Sequence, residues 1–246
     1  MKKAPVLDFV KYGYRNLVWF ETDPKMIDSM VKIFAPRKLY IADGHHRAAS
    51  AAAYRKAQLS SGGATAQVQS PWQNMMVYAA ADDQIRILPY NRVIKKLPMS
   101  TEAFLTQVQQ KFTLERQPHA FNPSKRGEIA MCLLGQWYKL TPHPGLGSNI
   151  IDNLDVAILQ NHLLGPILGI KDPRSDENIY FVGGLLDPIL MEKHVTEKKN
   201  AIFFNLYPVA MRDIEVIGDQ GGVMPPKSTW FDPKLLSGML LYSLNE

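Results

Sequence analysis

Short apolar runs alternate with polar, helix-forming segments along the chain, and this pattern predicts mixed strands and helices. Apolar positions at helical spacing predict a helix over residues 154–164 with Leu154, Ile158 and Leu159 facing the core. Other runs predict strands at 16–20, 39–42 and 201–206, hairpins at 74–88 and 129–140, helices from about residues 24, 46, 100, 188 and 211, and a terminal element from residue 234. The pattern indicates an α+β fold, with a mixed sheet and flanking helices.

The domain organisation depends on one proline- and glycine-rich stretch. Residues 142–153 contain Pro142, Pro144, Gly145 and Gly147, which is typical of a loop. We predict a single α+β domain over 1–246, either undivided or built from two lobes, 1–141 and 154–246, joined by that loop.

Four charged or titratable side chains follow the predicted strand at 39–42, where a helix begins. They are Asp43, His45, His46 and Arg47, with Gly44 among them. The N-terminus of a helix has unpaired N–H groups and a positive dipole, so this turn is suited to bind an anion such as phosphate. We favour a functional site, with Asp43 and His45 as candidate catalytic residues because carboxylates and imidazoles transfer protons. In the alternative, Asp43 and Gly44 only form the turn, Asp43 caps the helix and the histidines are exposed.

A second charged turn lies near the end of the chain. Glycines and prolines at 221–226 precede Lys227, Ser228 and Thr229, a composition that partly matches a nucleotide-binding phosphate loop. Pro226 occupies the position of the last glycine, and proline lacks the N–H group that would contact phosphate. This excludes a Walker-type loop and leaves two interpretations: a rigid turn whose three side chains bind phosphate, or a structural turn with an exposed lysine.

Asp155 and His162 form a further candidate pair. They are seven residues apart in the predicted helix, which places them two turns apart and on nearly the same side. Two interpretations remain: the residues form a functional pair, or His162 is a structural histidine. The histidines lack metal-binding spacing, so we predict no zinc site. Cys132 is the single cysteine and lies in an apolar run, which predicts a buried residue without a disulfide.

Composition narrows the class of protein only moderately. The chain has 246 residues, a net charge of +5 and 46% hydrophobic residues, values typical of a globular domain. It has no apolar run of transmembrane length and no signal peptide, so we expect a cytoplasmic protein without a membrane partner. The positive residues are scattered, which suits a small phosphorylated ligand and leaves nucleic acid as an unsupported alternative.

Several blocks resemble one uncharacterised prokaryotic family, catalogued as domain of unknown function 1015. The most specific are Asp-Gly-His-His-Arg at 43–47 and Met-Pro-Pro-Lys-Ser-Thr at 224–229, with shorter blocks at 23–24, 154–164, 172–174, 181–184 and 233–238. Members of that family usually have a substantial segment ahead of the part represented here. The resemblance therefore implies that the upstream segment is missing, so that this chain is a C-terminal portion, a natural short form or a truncated gene product.

The turn at 43–47 is also similar, over a short length, to the phosphate-binding turn of the ParB/sulfiredoxin superfamily, which includes free-serine kinases. The similarity implies that His45, His46 and Arg47 approach nucleotide phosphates. Ala48 and Ala49 stand where many members have aromatic and acidic residues.

The leading hypothesis is a nucleotide-dependent phosphotransfer enzyme that acts on a small polar metabolite. In it, Arg47 and Lys227 hold phosphate, Asp43 holds Mg²⁺ or accepts a hydroxyl proton, and His45 assists proton transfer. The alternatives are a non-enzymatic regulator that binds nucleotide or nucleic acid, and a vestigial fragment.

Overall fold

The computed structural model describes residues 3–61, 70–184, 187–197 and 202–244. Its contacts divide the chain into two compact units, Met1–Tyr40 and Ile41–Glu246. Helices and antiparallel strands occur together, so the predicted α+β class is confirmed. In the described residues, no helix has the length and apolar character needed to cross a membrane.

The unit Met1–Tyr40 contains a hairpin and a helix. Strands β1 (Leu7–Lys11) and β2 (Tyr14–Val18) pair antiparallel across a turn in which Tyr12 and Gly13 both have positive φ. Helix α1 (Pro24–Phe34) begins as predicted, because Pro24 occupies its first turn and the Asp23 side chain accepts a hydrogen bond from the Lys25 N–H. In residues 3–40, no side chain is buried.

The unit Ile41–Glu246 is organised around an antiparallel sheet with the strand order β5-β7-β6-β9-β4-β8. Its strands are β4 (Tyr90–Ile94), β5 (Phe112–Gln117), β6 (Ile129–Leu133), β7 (Gln136–Pro142), β8 (Ile179–Gly183) and β9 (Ile202–Leu206). Strands β5 to β7 precede the loop at 142–153, whereas β8 and β9 follow it. The division into lobes 1–141 and 154–246 stays a prediction.

Helices flank both faces of this sheet. The described helices of the unit are α2 (His45–Ser60), α3 (Thr101–Gln109), α4 (Asp155–Leu159), α5 (Pro188–Glu197) and α6 (Met211–Asp219). Alternate residues of β6 contribute to two hydrophobic clusters, since Met131 packs with residues of α3, α4 and α6, and Cys132 packs with Met191 and Val195 of α5. Burial of Cys132 confirms its predicted structural role and raises the pKa of its thiol to about 11.

Most of the predicted helices and strands are confirmed within one to three residues. The hairpin at 129–140 forms from β6 and β7, and Leu154, Ile158 and Leu159 are buried as expected. Ser100 caps α3 through a hydrogen bond from the Ala103 N–H at 3.2 Å. Hydrophobic periodicity locates these elements because each buries one face against neighbours that are close in sequence.

Two predictions of strands were wrong. Residues 39–42 and 74–81 form no strand, so the expected hairpin at 74–88 does not exist. Its second half does form a strand, β3 (Arg86–Leu88), which pairs antiparallel with β10 (Trp230–Asp232). An apolar run indicates that a segment can extend but does not identify its hydrogen-bonding partner, and here the partner lies more than a hundred residues away.

Candidate functional site

The turn predicted to carry chemistry lies at the start of α2. Gly44 is the residue that precedes the helix, and its φ of 86° is a left-handed conformation that favours glycine. Asp43 does not cap α2; its Oδ1 accepts a hydrogen bond from the Gly44 N–H at 2.8 Å. His45, His46 and Arg47 form the first turn of the helix and are exposed. The turn therefore presents two imidazole rings, the Arg47 guanidinium and the helix N-terminus to solvent.

Two cations, Lys234 and Arg47, stabilise the charge of Asp43. Lys234 Nζ lies 3.2 Å from Asp43 Oδ2 and donates a hydrogen bond to it, although 191 positions separate the two residues. Partial burial by itself raises the pKa of Asp43, but Lys234, the Gly44 N–H and the charge of Arg47 outweigh it and lower the net pKa. Asp43 is therefore a stable carboxylate at neutral pH.

Arg47 folds back over the turn. A Cβ atom added to Gly44 would lie 2.9 Å from an Arg47 Nη atom and 3.1 Å from its Nε atom. The absence of a side chain at Gly44 thus creates the space that the guanidinium occupies. Glycine serves both the left-handed backbone and this close approach.

Lysines and aromatic rings form a second wall, which we call the cationic-aromatic cluster: Tyr90, Arg92, Phe181, Lys227, Trp230 and Lys234. Lys234 Nζ lies 4.6 Å from the Trp230 ring centroid, and Lys227 Nζ lies 5.3 Å from that of Tyr90. The Tyr90 and Trp230 rings contact edge to face at 5.4 Å. Because Lys234 also pairs with Asp43, it connects the cluster to the start of α2.

Arg92 is the buried positive charge of this cluster. It is only 4% exposed, and burial lowers its pKa to about 9. Its guanidinium donates to the backbone oxygen of Tyr90 and, at 3.0 Å, to that of Lys227. Within the described ranges, no carboxylate forms an ion pair with it. A buried cation without a counter-ion favours the binding of an anion nearby.

The predicted residues of the second turn have different environments. Lys227 has a φ of 58°, a conformation uncommon outside glycine, and its backbone oxygen is held by Arg92. Ser228 is buried and donates its hydroxyl proton to the Pro225 carbonyl at 2.6 Å, which stabilises the turn. Thr229 is half-buried. The first predicted turn is linked to the segment that follows the second by Lys234, which pairs with Asp43 and lies five residues beyond Thr229.

The site at the start of α2 offers few side chains that could bind a metal ion. The described residues contain no group of three or more histidine, cysteine or acidic side chains that would hold a metal. Asp43 alone can supply one carboxylate oxygen, which suits Mg²⁺ that arrives with phosphate oxygens as its other ligands.

Asp155 and His162 lie outside the site at the start of α2. The helix widens into a π-helical turn at Gln160–Leu164, which changes the register expected for a continuous α-helix. Asp155 Oδ1 accepts from the Gly127 N–H at 2.9 Å, whereas His162 Nε2 contacts the Leu146 carbonyl at 2.9 Å. The two side chains thus have different partners, and their functional pairing stays a prediction.

Asp155 lines a cleft of about 740 Å³, together with Lys125, Arg126 and residues of the loop at 142–147. In the part of the chain that the structure describes, every buried side-chain oxygen has a hydrogen-bond partner, and Asp155 Oδ2 accepts from none. That oxygen is therefore open to the cleft. Burial raises the pKa of Asp155 to about 6, although the Gly127 N–H opposes the change.

A family model matches residues 1–157 of this chain, a range that includes the turn at 43–47 and Asp155. The chain belongs to the family described as protein of unknown function (DUF1015). The match ends before Lys227, so the resemblance of the block at 224–229 stays a prediction. No curated protein matches the chain.

Solved structures resemble this DUF1015 protein at low identity. A mutant free serine kinase in complex with ADP has 14% identity and a TM-score of 0.41, with 86% of this chain and 81% of that chain covered. Free serine kinase in complex with AMP has 12% identity and a TM-score of 0.39 over the same shares. A conserved hypothetical protein from Pyrococcus furiosus has 13% identity and a TM-score of 0.40, with 84% and 82% covered.

Sequence reasoning had not assigned Lys234, Arg92 or the aromatic rings to the site. Arg92 did leave a signal, since it is a charged residue beside the apolar Val93 and Ile94 in the segment that becomes β4. Lys234 left a weaker one as the last charged residue of the block that begins at Gly221. Neither signal could reveal the ion pair with Asp43, because that contact depends on how distant segments meet.

Proposed function

We propose that this DUF1015 protein is a nucleotide-dependent phosphotransfer enzyme that acts on a small polar metabolite. The observation that carries the proposal is the position of Asp43, paired with Lys234 and beside Arg47 at the start of α2. Phosphoryl transfer needs positive groups around the phosphate and a positioned acceptor hydroxyl more than it needs covalent catalysis. The start of α2 and the cationic-aromatic cluster supply the positive groups.

The proposed step is a direct displacement at phosphorus. The oxygen of the acceptor hydroxyl attacks the terminal phosphorus of the nucleotide and forms a new P–O bond. The bond from that phosphorus to the bridging oxygen breaks, and the shortened nucleotide leaves with the electron pair of the broken bond. The hydroxyl proton passes to His45, which is exposed and adjacent to Gly44. Arg47 and Lys227 stabilise the charge on the transferred phosphoryl oxygens.

Asp43 has a narrower role in this proposal than His45. Its lowered pKa keeps it ionised, so it suits the holding of a cation better than the acceptance of a proton at neutral pH. Mg²⁺, when bound with the nucleotide, would neutralise phosphate charge, and Asp43 would hold it. His46 and Thr229 are assigned to the phosphate oxygens, whereas the hydroxyl of Ser228 supports the backbone of the turn.

The similarity of 43–47 to the ParB/sulfiredoxin turn supports the same assignment. In such a turn, His45, His46 and Arg47 approach the phosphates of a nucleotide. The exposed first turn of α2 and the position of Arg47 above Gly44 are compatible with that arrangement.

The first experiment is a thermal-shift screen with nucleotides, pyrophosphate and phosphorylated amino acids, each with and without Mg²⁺. A ligand that binds the native state raises the apparent melting temperature. The nucleotide that raises it most is then incubated with pooled hydroxyl-bearing metabolites, and phosphorus NMR detects the phosphorylated product.

Asp43→Asn and Arg47→Ala are expected to abolish this transfer while the protein stays folded. Arg55→Ala is the matched control, because Arg55 is also an exposed arginine of α2 but lies two turns further along. Transfer that survives in both site variants would exclude the assigned roles. Binding of DNA fragments that weakens steeply with salt, without any transfer, would favour the regulator instead.

A further inference from the structure

A cleft of about 440 Å³ opens beside the first turns of α2. Its floor is the helix surface at Ser50 and Ala51, whose small side chains leave room above the backbone. His46 and Arg47 line it as well, so the cleft includes two of the proposed phosphate-binding residues. The cleft and the proposed phosphate site therefore adjoin through Arg47.

The other lining residues have a different chemistry. Trp72 lies in a short 3₁₀ turn, Pro71–Gln73, that packs against α2, and Tyr54 lies two turns along α2 from His46. Trp72 is half-buried, while Tyr54 is 39% exposed, so part of each ring surface is open to a ligand. Asn74 adds an amide, which can both donate and accept hydrogen bonds.

We infer that this cleft binds the base of a nucleoside phosphate, with the ring against Trp72 and Tyr54 and the phosphates toward Arg47. Every nucleobase has an aromatic face, and stacking on tryptophan or tyrosine is a common way to bind one. The Asn74 amide can recognise the polar edge of the base. A free phosphate or pyrophosphate would leave the aromatic wall unused. This inference rests on the proposed function, because it assumes that the phosphates bind at the start of α2.

Calorimetry of the full chain with two ligands, ATP and inorganic tripolyphosphate, separates the base site from the phosphate site. The wild-type protein is expected to bind ATP at least about tenfold more tightly than tripolyphosphate, since only ATP contacts the aromatic wall. Trp72→Ala is expected to weaken ATP binding by about tenfold or more and to change tripolyphosphate binding by less than about twofold. Arg47→Ala is expected to weaken both.

Two further variants keep the test decisive if Trp72→Ala fails to fold. Tyr54→Leu retains an apolar side chain on α2 but removes the aromatic face, and it is expected to weaken ATP binding about threefold to tenfold. Trp72→Phe keeps an aromatic face at this position and is expected to retain most of the wild-type ATP affinity. The control is Trp19→Phe, which alters an exposed tryptophan outside both the cleft lining and the cationic-aromatic cluster and is expected to leave ATP binding unchanged.

Each outcome has a distinct meaning. Unchanged ATP binding in Trp72→Ala and Tyr54→Leu would overturn the base site, while a loss of both ligands in Arg47→Ala would still support the phosphate site. No effect of Arg47→Ala on either ligand would overturn the proposed function. Equal wild-type affinity for ATP and tripolyphosphate would overturn the base site alone, and failure of the wild-type protein to bind either would overturn both.

Discussion

Asp43 and Asp155 stand at the starts of two helices of the Ile41–Glu246 unit and differ in their electrostatic state. Both accept a hydrogen bond from the N–H group of a glycine, Gly44 for Asp43 and Gly127 for Asp155. The pKa of Asp43 is lowered, whereas the pKa of Asp155 is raised to about 6. The difference comes from their surroundings, since Lys234 pairs with Asp43, whereas Asp155 is buried and has no ion pair among the described residues.

The two helices that begin near these residues, α2 and α4, differ in burial. Helix α2 has 16 residues and none is buried, while all five residues of α4 are buried. An exposed helix start keeps its N–H groups and charges available to a ligand, whereas a buried one contributes chiefly to the stability of the fold. We therefore expect substitutions near α4 to change stability and substitutions near Asp43 to change binding.

The largest effect on stability is expected from Leu159→Ala in α4. Leu159 is fully buried, so the lost contacts and the resulting cavity should lower the free energy of unfolding by about 2–5 kcal/mol. Leu59→Ala is the matched control in α2, where Leu59 is 52% exposed, and should cost less than about 0.5 kcal/mol. Urea unfolding followed by circular dichroism measures both. Equal losses would remove the contrast between the helices.

Asp155→Asn tests whether the pKa of Asp155 is raised in the folded protein. The folded pKa of about 6 exceeds the ordinary value of 3.8, so the native state holds the proton longer and stability falls as pH rises between these values. At about 1.4 kcal/mol per pH unit, the destabilisation above pH 6 reaches at most about 3 kcal/mol. Asparagine remains neutral and still accepts from Gly127.

The gain in stability of Asp155→Asn over the wild type should therefore grow with pH, from below about 1 kcal/mol at pH 4 to about 3 kcal/mol at pH 7. Urea unfolding at several pH values measures the difference. Asp43→Asn is the control of opposite sign, because a lowered pKa contributes stability at neutral pH that is lost as pH falls through it. Parallel stability curves for the wild type and Asp155→Asn would contradict the raised pKa.

Gly44→Ala separates backbone strain from displacement of Arg47. Alanine at a φ of 86° should cost about 1 kcal/mol, and its Cβ must also displace the guanidinium. Gly221→Ala has similar strain at a φ of 67° but no neighbour within 4 Å. Both variants should lose similar stability in urea, and only Gly44→Ala should weaken ATP binding in calorimetry. Equal ATP affinity in both would show that the position of Arg47 does not affect binding.

The smallest effect on stability is expected from Lys234→Ala. Its ion pair with Asp43 is well exposed, so the loss should be below about 1 kcal/mol. The pKa of Asp43 should nevertheless rise, since burial then acts against fewer favourable contacts. NMR titration of the Asp43 carboxyl carbon measures it. Lys193→Ala, which removes an exposed pair with Glu197, should leave that pKa unchanged.

The sequence predicts local features of this fold well and long-range pairings poorly. The helices near Pro24, Ser100 and Met211 follow from caps and apolar spacing, which act over a few residues. The strand Arg86–Leu88 was recognised as extended but assigned to the wrong partner, because strand pairing with Trp230–Asp232 is not encoded by periodicity.

The same distinction applies to the candidate site. The composition of the turn at 43–47 predicts a functional site there, and the experiments above test this prediction. The burial of Arg92 and the aromatic lining at Trp72 could not be predicted, since each requires elements that are far apart in the chain to pack together.

By itself, the sequence determined the α+β class, the buried face of α4 and the concentration of charge before α2. Each depends on residue type and short-range spacing. Only the tertiary structure decided that Lys234 would contact Asp43, 191 positions away in the chain. It alone also decided that Asp155 would be buried and have a raised pKa. The physical reason is that a pKa depends on burial and neighbouring charges, which the folded chain alone brings to each carboxyl group.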